Sequence, residues 1–144
     1  MRPHNVGIDQ NDTVYVADRE NHRVQVFDNQ GRLQAVWQNI HRPDGLCVDG
    51  EGRVYIGELC AMDGLEDCPG LGHRVSIYDR DGKLLTRFGD PEEGESPGQF
   101  IAPHGIAVDS QGSIYVGDAA FTMRGSRLKP PRELRSFQKL RRVS

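Results

Sequence analysis

The sequence contains few cysteines and no long apolar run. Cys47, Cys60 and Cys68 are an odd number, which argues against a disulfide framework, and no CxxC motif is present for a zinc knuckle. Cys47 occupies an apolar strand position and is predicted to be a buried core residue, whereas Cys60 and Cys68 could pair in an oxidising compartment. No segment approaches the roughly 20 apolar residues of a membrane span, and the opening "MRPHNVGID" contains no apolar signal region. We therefore expect no membrane segment and favour a cytoplasmic location.

Basic charge is scarce in the body of the chain and concentrated at its C-terminal end. Residues 123–144 contain eight Lys or Arg and one Glu, a net charge of +7, which leaves ten basic and twenty acidic residues, a net charge of −10, in the remainder. A basic tail can bind nucleic acid, but no aromatic platform for base stacking is interleaved with these residues. We expect the tail to dock on the acidic body and expect no nucleic-acid partner.

Three segments of the sequence repeat one pattern. Residues 3–18 read "PHNVGIDQNDTVYVAD", residues 43–58 read "PDGLCVDGEGRVYIGE" and residues 103–118 read "PHGIAVDSQGSIYVGD". Each has an apolar segment, a polar turn and a second segment rich in Val, Ile and Tyr, which predicts two strands joined by a turn. Segments 21–37 and 72–88 also match each other and predict a second hairpin, with "NQG" and "RDG" in the turns.

A unit of about 40 residues with four short antiparallel strands is typical of a β-propeller blade. We predict an all-β chain of three four-stranded blades, the last one incomplete, over residues 3–42, 43–102 and 103–144, with the basic segment 123–144 in the third blade. A β-sandwich is the alternative, but sandwiches do not repeat their sequence in this way. Such small sheets are stable only when neighbouring blades cover their faces.

The third unit departs from the pattern after residue 121. Pro130 and Pro131 exclude a regular helix or strand around them. Beyond the prolines, residues 134–143 fit a third strand with Phe137 and Val143 facing the core. The spacing of Phe137, Leu140 and Val143 also fits a turn of helix, and we favour the strand.

Three blades are too few to close, because propellers close with four to eight. We therefore expect half of a six-bladed ring. The other half is expected to come either from N-terminal blades outside this chain or from a second copy of it, which a two-fold axis permits.

The segment "VYVADRENHRVQVFD" closely resembles an NHL repeat, whose name reflects an Asn-His-Leu-like segment that reads Asn21-His22-Arg23 here. With "PHN", "PHG" and "IYVGD", the whole chain resembles the C-terminal half of the peptidyl-α-hydroxyglycine α-amidating lyases and their bacterial relatives. The resemblance implies a six-bladed ring, a zinc-dependent C–N bond cleavage, and a small peptide-like substrate. It also implies that the fragment is inactive alone.

The same resemblance implies which residues form the site. In that family three His from alternate blades bind zinc, and His4 and His104 match two of these positions, while Asp44 falls on the non-ligand blade between them. The third His would lie outside this chain, as would a catalytic Tyr and a second Arg. Arg19 matches the family's Arg after the second strand and is the expected catalytic residue; its alternative role is an ion pair with a neighbouring acid. Gly105 stands where the lyases have an Asp, a departure that weighs against the same reaction.

Other polar residues are expected to have structural roles. His22 and His73 occupy equivalent repeat positions, and Asp9, Asp49 and Asp109 are predicted to cap turns. The insertion 59–71 contains three acids, but their spacing does not match a calcium-binding loop, and we expect no calcium there. The alternative function is a non-catalytic NHL module that binds a protein or ligand.

Overall fold

The computed structural model describes residues 3–60 and 71–143, which form three antiparallel sheets. The first sheet contains β1 (Pro3–Ile8), β2 (Val14–Asp18), β3 (Arg23–Phe27) and β4 (Leu33–Trp37). The second contains β5 (Pro43–Val48), β6 (Val54–Glu58), β7 (Arg74–Tyr78) and β8 (Leu84–Gly89). The third contains β9 (Pro103–Val108), β10 (Ile114–Asp118) and β11 (Phe137–Leu140). Each sheet is a meander in which consecutive strands pair.

The sheets are blades of a β-propeller. Their first strands, β1, β5 and β9, lie side by side, so each sheet extends outward from a shared inner edge. The all-β prediction with three blades and an incomplete last blade is therefore confirmed: the described part of the third blade has three strands. The third blade also has a short helix α1 (Ala120–Met123) and a 3-10 turn (Gly125–Arg127) between its second and third strands, which the sequence pattern did not predict.

The turn between the first two strands has the same construction in every blade. Oδ1 of Asp9 accepts hydrogen bonds from the backbone N–H groups of Asn11 and Thr13, and Asp49 and Asp109 do the same in their blades. The second oxygen of each Asp accepts a hydrogen bond from the tyrosine hydroxyl at the start of the next strand, at 2.9–3.1 Å. The predicted role of these aspartates as turn caps is confirmed.

Apolar side chains fill the two spaces between blades. Trp37 in β4 packs against Tyr15 of its own blade and stacks on Tyr78 of the second blade, with a centroid distance of 5.7 Å for the latter pair. Ile56 is completely buried in the same cluster. Each such side chain contributes about 1.5–3 kcal/mol through its burial. The second space contains Val75, Phe100 and Val116.

Because side chains point to alternate sides along a strand, each blade has two apolar faces made of different residues. In the first blade, the face that contains Tyr15 packs on the second blade. In the second blade, the face that contains Leu46, Val54 and Ile56 packs on the first. The residues of the first blade that match this second face are Val6, Val14 and Val16. They lie on the side of the first blade away from the second, and Val6 is 58% exposed. We call this surface, with Ile8 and Phe27, the open valine face.

The prediction of a strand after the two prolines is confirmed, but its predicted orientation is wrong. β11 pairs with β10 so that Val116 lies opposite Gln138 and Ile114 opposite Leu140. Since alternate side chains point to opposite faces, Gln138 and Leu140 face the second blade. Phe137, by contrast, is 61% exposed beside Tyr115. Val143 lies beyond the strand and is 90% exposed.

The basic C-terminal segment docks on acidic residues of the same chain, as predicted. Arg124 contacts Glu93 at 2.6 Å, and Arg132 contacts Glu95 at 2.9 Å. The backbone N–H of Arg135 also donates to Glu95 at 2.9 Å. Glu93 and Glu95, which precede the third blade in the chain, thus neutralise part of the positive charge of the basic C-terminal segment.

Two further expectations concern the cysteines and the insertion. Cys47 lies on β5 and is half-buried, rather than fully buried as predicted. The possible pairing of Cys60 with Cys68 and the acidic part of the insertion fall on residues 61–70, outside the described residues. Across 3–60 and 71–143, every helix is too short or too polar to cross a bilayer.

Candidate functional site

The site lies at the start of the three inner strands. Each of these strands begins with Pro, and the next residue is His4 in β1, Asp44 in β5 and His104 in β9. Because the three strands lie side by side, these repeat-equivalent side chains converge. One ligand atom from each residue can be chosen so that all three atoms lie within 4.8 Å of one another. We call these three residues the inner-strand cluster.

Two glycines allow the second and third blades to approach closely at this point. A Cβ atom on Gly45 would lie 2.6 Å from the carbonyl oxygen of His104, and one on Gly57 would lie 2.1 Å from that of Pro103. A side chain on Gly45 in β5 or on Gly57 in β6 would therefore push β9 away from the second blade. The glycines of "PDG" and "YIG" thus position His104 against the second blade.

Asp44 is the buried centre of the cluster. Its side chain is 0% exposed, and its Oδ1 contacts Nδ1 of His4 and lies 3.8 Å from Nε2 of His104. Oδ2 lies 3.5 Å from Nη1 of Arg19. These are close contacts between ionisable side chains, and within the described residues neither carboxylate oxygen accepts a hydrogen bond of good geometry.

The two histidines differ in their exposure. Their rings meet edge to face with centroids 4.8 Å apart, and the side chain of His4 is 25% exposed while that of His104 is 50% exposed. Burial lowers the pKa of His4 below its ordinary value, although the Asp44 carboxylate acts to raise it, and the positive charge of Arg19 lowers it further. His4 is therefore biased toward the neutral form, which offers a nitrogen lone pair.

Arg19 reaches the cluster from the 3-10 turn (Arg19–Asn21) that directly follows β2. Its Nε donates to Oε1 of Glu20 at 2.8 Å, and Arg42 contacts the same oxygen at 3.1 Å. Burial acts to raise the pKa of Glu20, but the hydrogen bonds from the two arginines lower it below its ordinary value. Glu20 thus orients the guanidinium of Arg19, while Nη1 faces Asp44.

Acids at the ends of the second strands fix the start of the inner strands. Glu58 is completely buried and accepts hydrogen bonds from the backbone N–H of His41 at 2.7 Å and from Arg74. In the third blade Asp118 accepts from the backbone N–H groups of Ile101 and Ala102. Each acid therefore holds the segment that leads into the Pro-containing start of an inner strand.

The predicted site residues come together. His4, His104 and Arg19 all contact Asp44, although they come from the first and third blades. Asp44, expected on the non-ligand blade between the two histidines, contacts both of them. The signal for it was present, because Asp44 shares the position after Pro with both histidines.

The expectation that His22 and His73 have equivalent structural roles agrees with their geometry. Both adopt a left-handed backbone conformation, with φ of 51° and 53°. Nδ1 of His22 accepts a hydrogen bond from the backbone N–H of Arg42, and Nδ1 of His73 lies 2.7 Å from the carbonyl oxygen of Ile101. Each ring therefore braces the segment before the next inner strand.

A cavity of about 450 Å³ lies elsewhere, between the second and third blades. Its walls are Leu85, Phe88, Ile114 and Leu140, and Arg142 lies at its edge. None of these residues belongs to the inner-strand cluster. The cavity borders β11, the outermost described strand of the incomplete blade.

The family comparison agrees with the repeat. The model of the NHL repeat matches residues 1–27 and 100–121, which contain the inner hairpins of the first and third blades. The match agrees with the NHL-like repeat expected from these segments, and the resemblance to the amidating-lyase branch stays a prediction.

Curated proteins with similar sequences are much longer than this chain. The chain is 25% identical over 114 residues to protein brain tumor of Drosophila melanogaster, in a match that spans 79% of this chain and 10% of that protein. It is 29% identical over 114 residues to the B-box type zinc finger protein ncl-1 of Caenorhabditis elegans, again with 79% of this chain and 12% of that protein covered. The chain therefore corresponds to a small part of these proteins.

Solved structures agree with the fold. A gluconolactonase from Xanthomonas campestris, also a β-propeller, superposes with a TM-score of 0.63 over 95% of this chain and 43% of that one, at 19% identity. At this identity the likeness shows the fold alone. It supports the blade arrangement.

Proposed function

We propose that this NHL chain carries part of a metal-dependent site for a small ligand, with the C–N bond cleavage of the amidating lyases as its reaction. The observation that supports this proposal is the convergence of His4, His104 and Arg19 on the buried Asp44. The two histidines fit zinc, because imidazole is a group that such an ion binds, and the site lies beside the buried Asp44 carboxylate.

The residues of the chain have separate tasks in this proposal. His4 and His104 would hold the zinc ion, which when bound polarises the α-hydroxyl group of the substrate. Arg19, oriented by Glu20, presents a planar guanidinium to a substrate carboxylate, a pairing that can form two parallel hydrogen bonds. The half-exposed side of His104 leaves room for the ligand to approach.

An activity assay tests the reaction. The substrate is an N-acyl-α-hydroxyglycine, and the measured products are the released amide and aldehyde, in a closed ring that contains this chain. We expect cleavage that depends on zinc and is lost in His104→Ala. A metal-loaded, closed ring that releases neither product would contradict the lyase proposal.

A second candidate is a non-catalytic NHL module that binds a protein or ligand. Its support is that this chain matches a small part of two long proteins with similar sequence. This module needs no metal. Equal ligand affinity with and without a chelator would favour it over the metal-dependent reaction.

We also propose a partner for the open valine face. Val16 of this face occupies the same repeat position as Ile56 and Val116 in the other blades. These two residues are 0% and 1% exposed because a preceding blade covers them. The third blade presents the opposite kind of face, with Tyr115 and the exposed Phe137. A second copy of the chain therefore carries the complementary surface, and two copies would make a six-bladed ring.

A further inference from the structure

We infer that Asp44 is itself a metal ligand, so that this chain alone binds a divalent transition-metal ion through His4, Asp44 and His104. The inference rests on the metal-dependent part of the proposed function and changes its ligand set. The family resemblance places the third ligand in a blade outside this chain. The structure offers a third donor from the blade between the two histidines.

The state of the Asp44 carboxylate is the first support. The side chain is fully buried, and neither oxygen accepts a hydrogen bond of good geometry from the described residues. A buried carboxylate without such partners is costly. A divalent ion bound at the same point supplies directed bonds to this carboxylate, in addition to the positive charge of Arg19 at 3.5 Å.

The kinds of donor atom are the second support. Two imidazole nitrogens and one carboxylate oxygen suit zinc, iron, cobalt and related divalent ions. Calcium and magnesium prefer shells made of oxygen atoms. The cluster therefore selects a first-row transition-metal ion.

The placement of the three donors is the third support. They occupy the same register position in β1, β5 and β9, so the blade repeat itself brings them within 4.8 Å of one another. Three protein ligands leave a further coordination position for water or substrate. The half-exposed His104 lies on the accessible side of the cluster.

A simple ion pair is the competing explanation for Asp44. Arg19 is the fixed positive charge near it, at 3.5 Å, but Arg19 already has a closer partner in Glu20, at 2.8 Å. Glu20 also pairs with Arg42, at 3.1 Å, so charge balance alone does not decide between the two explanations. The two explanations differ in whether the removal of the Asp44 charge changes metal affinity.

Metal titration of the purified chain distinguishes them. After treatment with a chelator, the chain is titrated with Zn²⁺ by calorimetry and with Co²⁺ by visible absorption, which reports ligand geometry. We expect one ion per chain. We expect Asp44→Asn and His104→Ala each to weaken binding by about 100-fold or more, and Asp44→Glu, which keeps a carboxylate, to bind more tightly than Asp44→Asn. Asp12→Asn, on an exposed turn, is the matched control and should bind like the parent chain.

Circular dichroism of each variant shows whether it is folded, and only folded variants are compared. Unchanged affinity in folded Asp44→Asn, or no stoichiometric ion in the parent chain, would overturn the inference. A closed ring that cleaves its substrate equally well with Asn at position 44 would also overturn it, while the lyase proposal would stand. A chain that binds metal through Asp44 but belongs to an inactive ring would support the inference and refute the lyase reaction.

Discussion

Oδ1 of Asp44 lies 3.8 Å from Nε2 of His104, although the two residues belong to different blades. Their strands, β5 and β9, are neighbours at the inner edge, and each residue is the second of its strand. The contact is therefore produced by repetition: the same position in successive blades faces the same centre. The residue at this position therefore faces the site in each blade, and in the three blades it is His, Asp and His.

Replacement of Arg19 by Lys should separate ligand binding from metal binding. Lys keeps the charge near Asp44 but cannot form two parallel hydrogen bonds with a carboxylate. We expect affinity for a carboxylate-containing substrate analogue to fall about tenfold, the equivalent of about 1.4 kcal/mol, with zinc affinity retained. Calorimetry with each ligand measures both. Arg32→Lys, whose side chain is 75% exposed, is the matched control, and equal losses for both ligands would refute the separate role of Arg19.

Glu58→Ala should strongly destabilise the second blade. The substitution leaves the buried N–H of His41 without its acceptor and removes the partner of Arg74. We expect the free energy of unfolding to fall by about 3–5 kcal/mol, measured by urea titration. Glu51→Ala, whose side chain is 72% exposed, should change it by less than about 0.5 kcal/mol. A similar small change for Glu58→Ala would show that this acid does not anchor the inner strand.

The aspartate turns should contribute to acid sensitivity. The backbone N–H of Ser113 lowers the pKa of the Asp109 carboxyl below its ordinary value of 3.8, and that of Arg32 does the same for Asp28. A carboxyl whose folded pKa is lowered adds stability above its unfolded pKa, and this stability is lost as the pH falls through the folded pKa. Asp109→Asn should therefore make the free energy of unfolding less dependent on pH between about pH 5 and pH 2. Parallel pH curves for the variant and the parent, from urea titrations, would contradict this expectation.

Self-association should depend on the open valine face. Ile56 and Val116, which occupy the repeat position of Val16, are buried in the other two blades. We therefore expect the isolated chain to pair through the open valine face with the Tyr115 face of the third blade in a second copy. Val16→Lys should shift the sedimentation-equilibrium mass from the dimer toward the monomer. Val143→Lys, at a position 90% exposed outside that face, should leave the mass unchanged. A parent chain that stays monomeric would contradict pairing between copies.

Much of the fold was predictable because the repeat is written in local patterns. Alternating apolar residues predicted β2, β6 and β10, and polar turn residues predicted the Asp9, Asp49 and Asp109 caps. The face of β11 was not predictable, because one residue of register decides whether Phe137 or Gln138 faces the core. That register depends on pairing with β10 across a long irregular segment.

The sequence by itself determined the blade repeat, its turns and the candidacy of His4, His104 and Arg19, since these depend on residue type and spacing along the chain. Only the tertiary structure decided that Asp44 contacts both histidines, fully buried and without hydrogen bonds of good geometry from the described residues. It also decided that Glu58 and Asp118 hold the segments entering the inner strands. Burial and partners are properties of the space between blades, and that space exists only after distant segments have packed together.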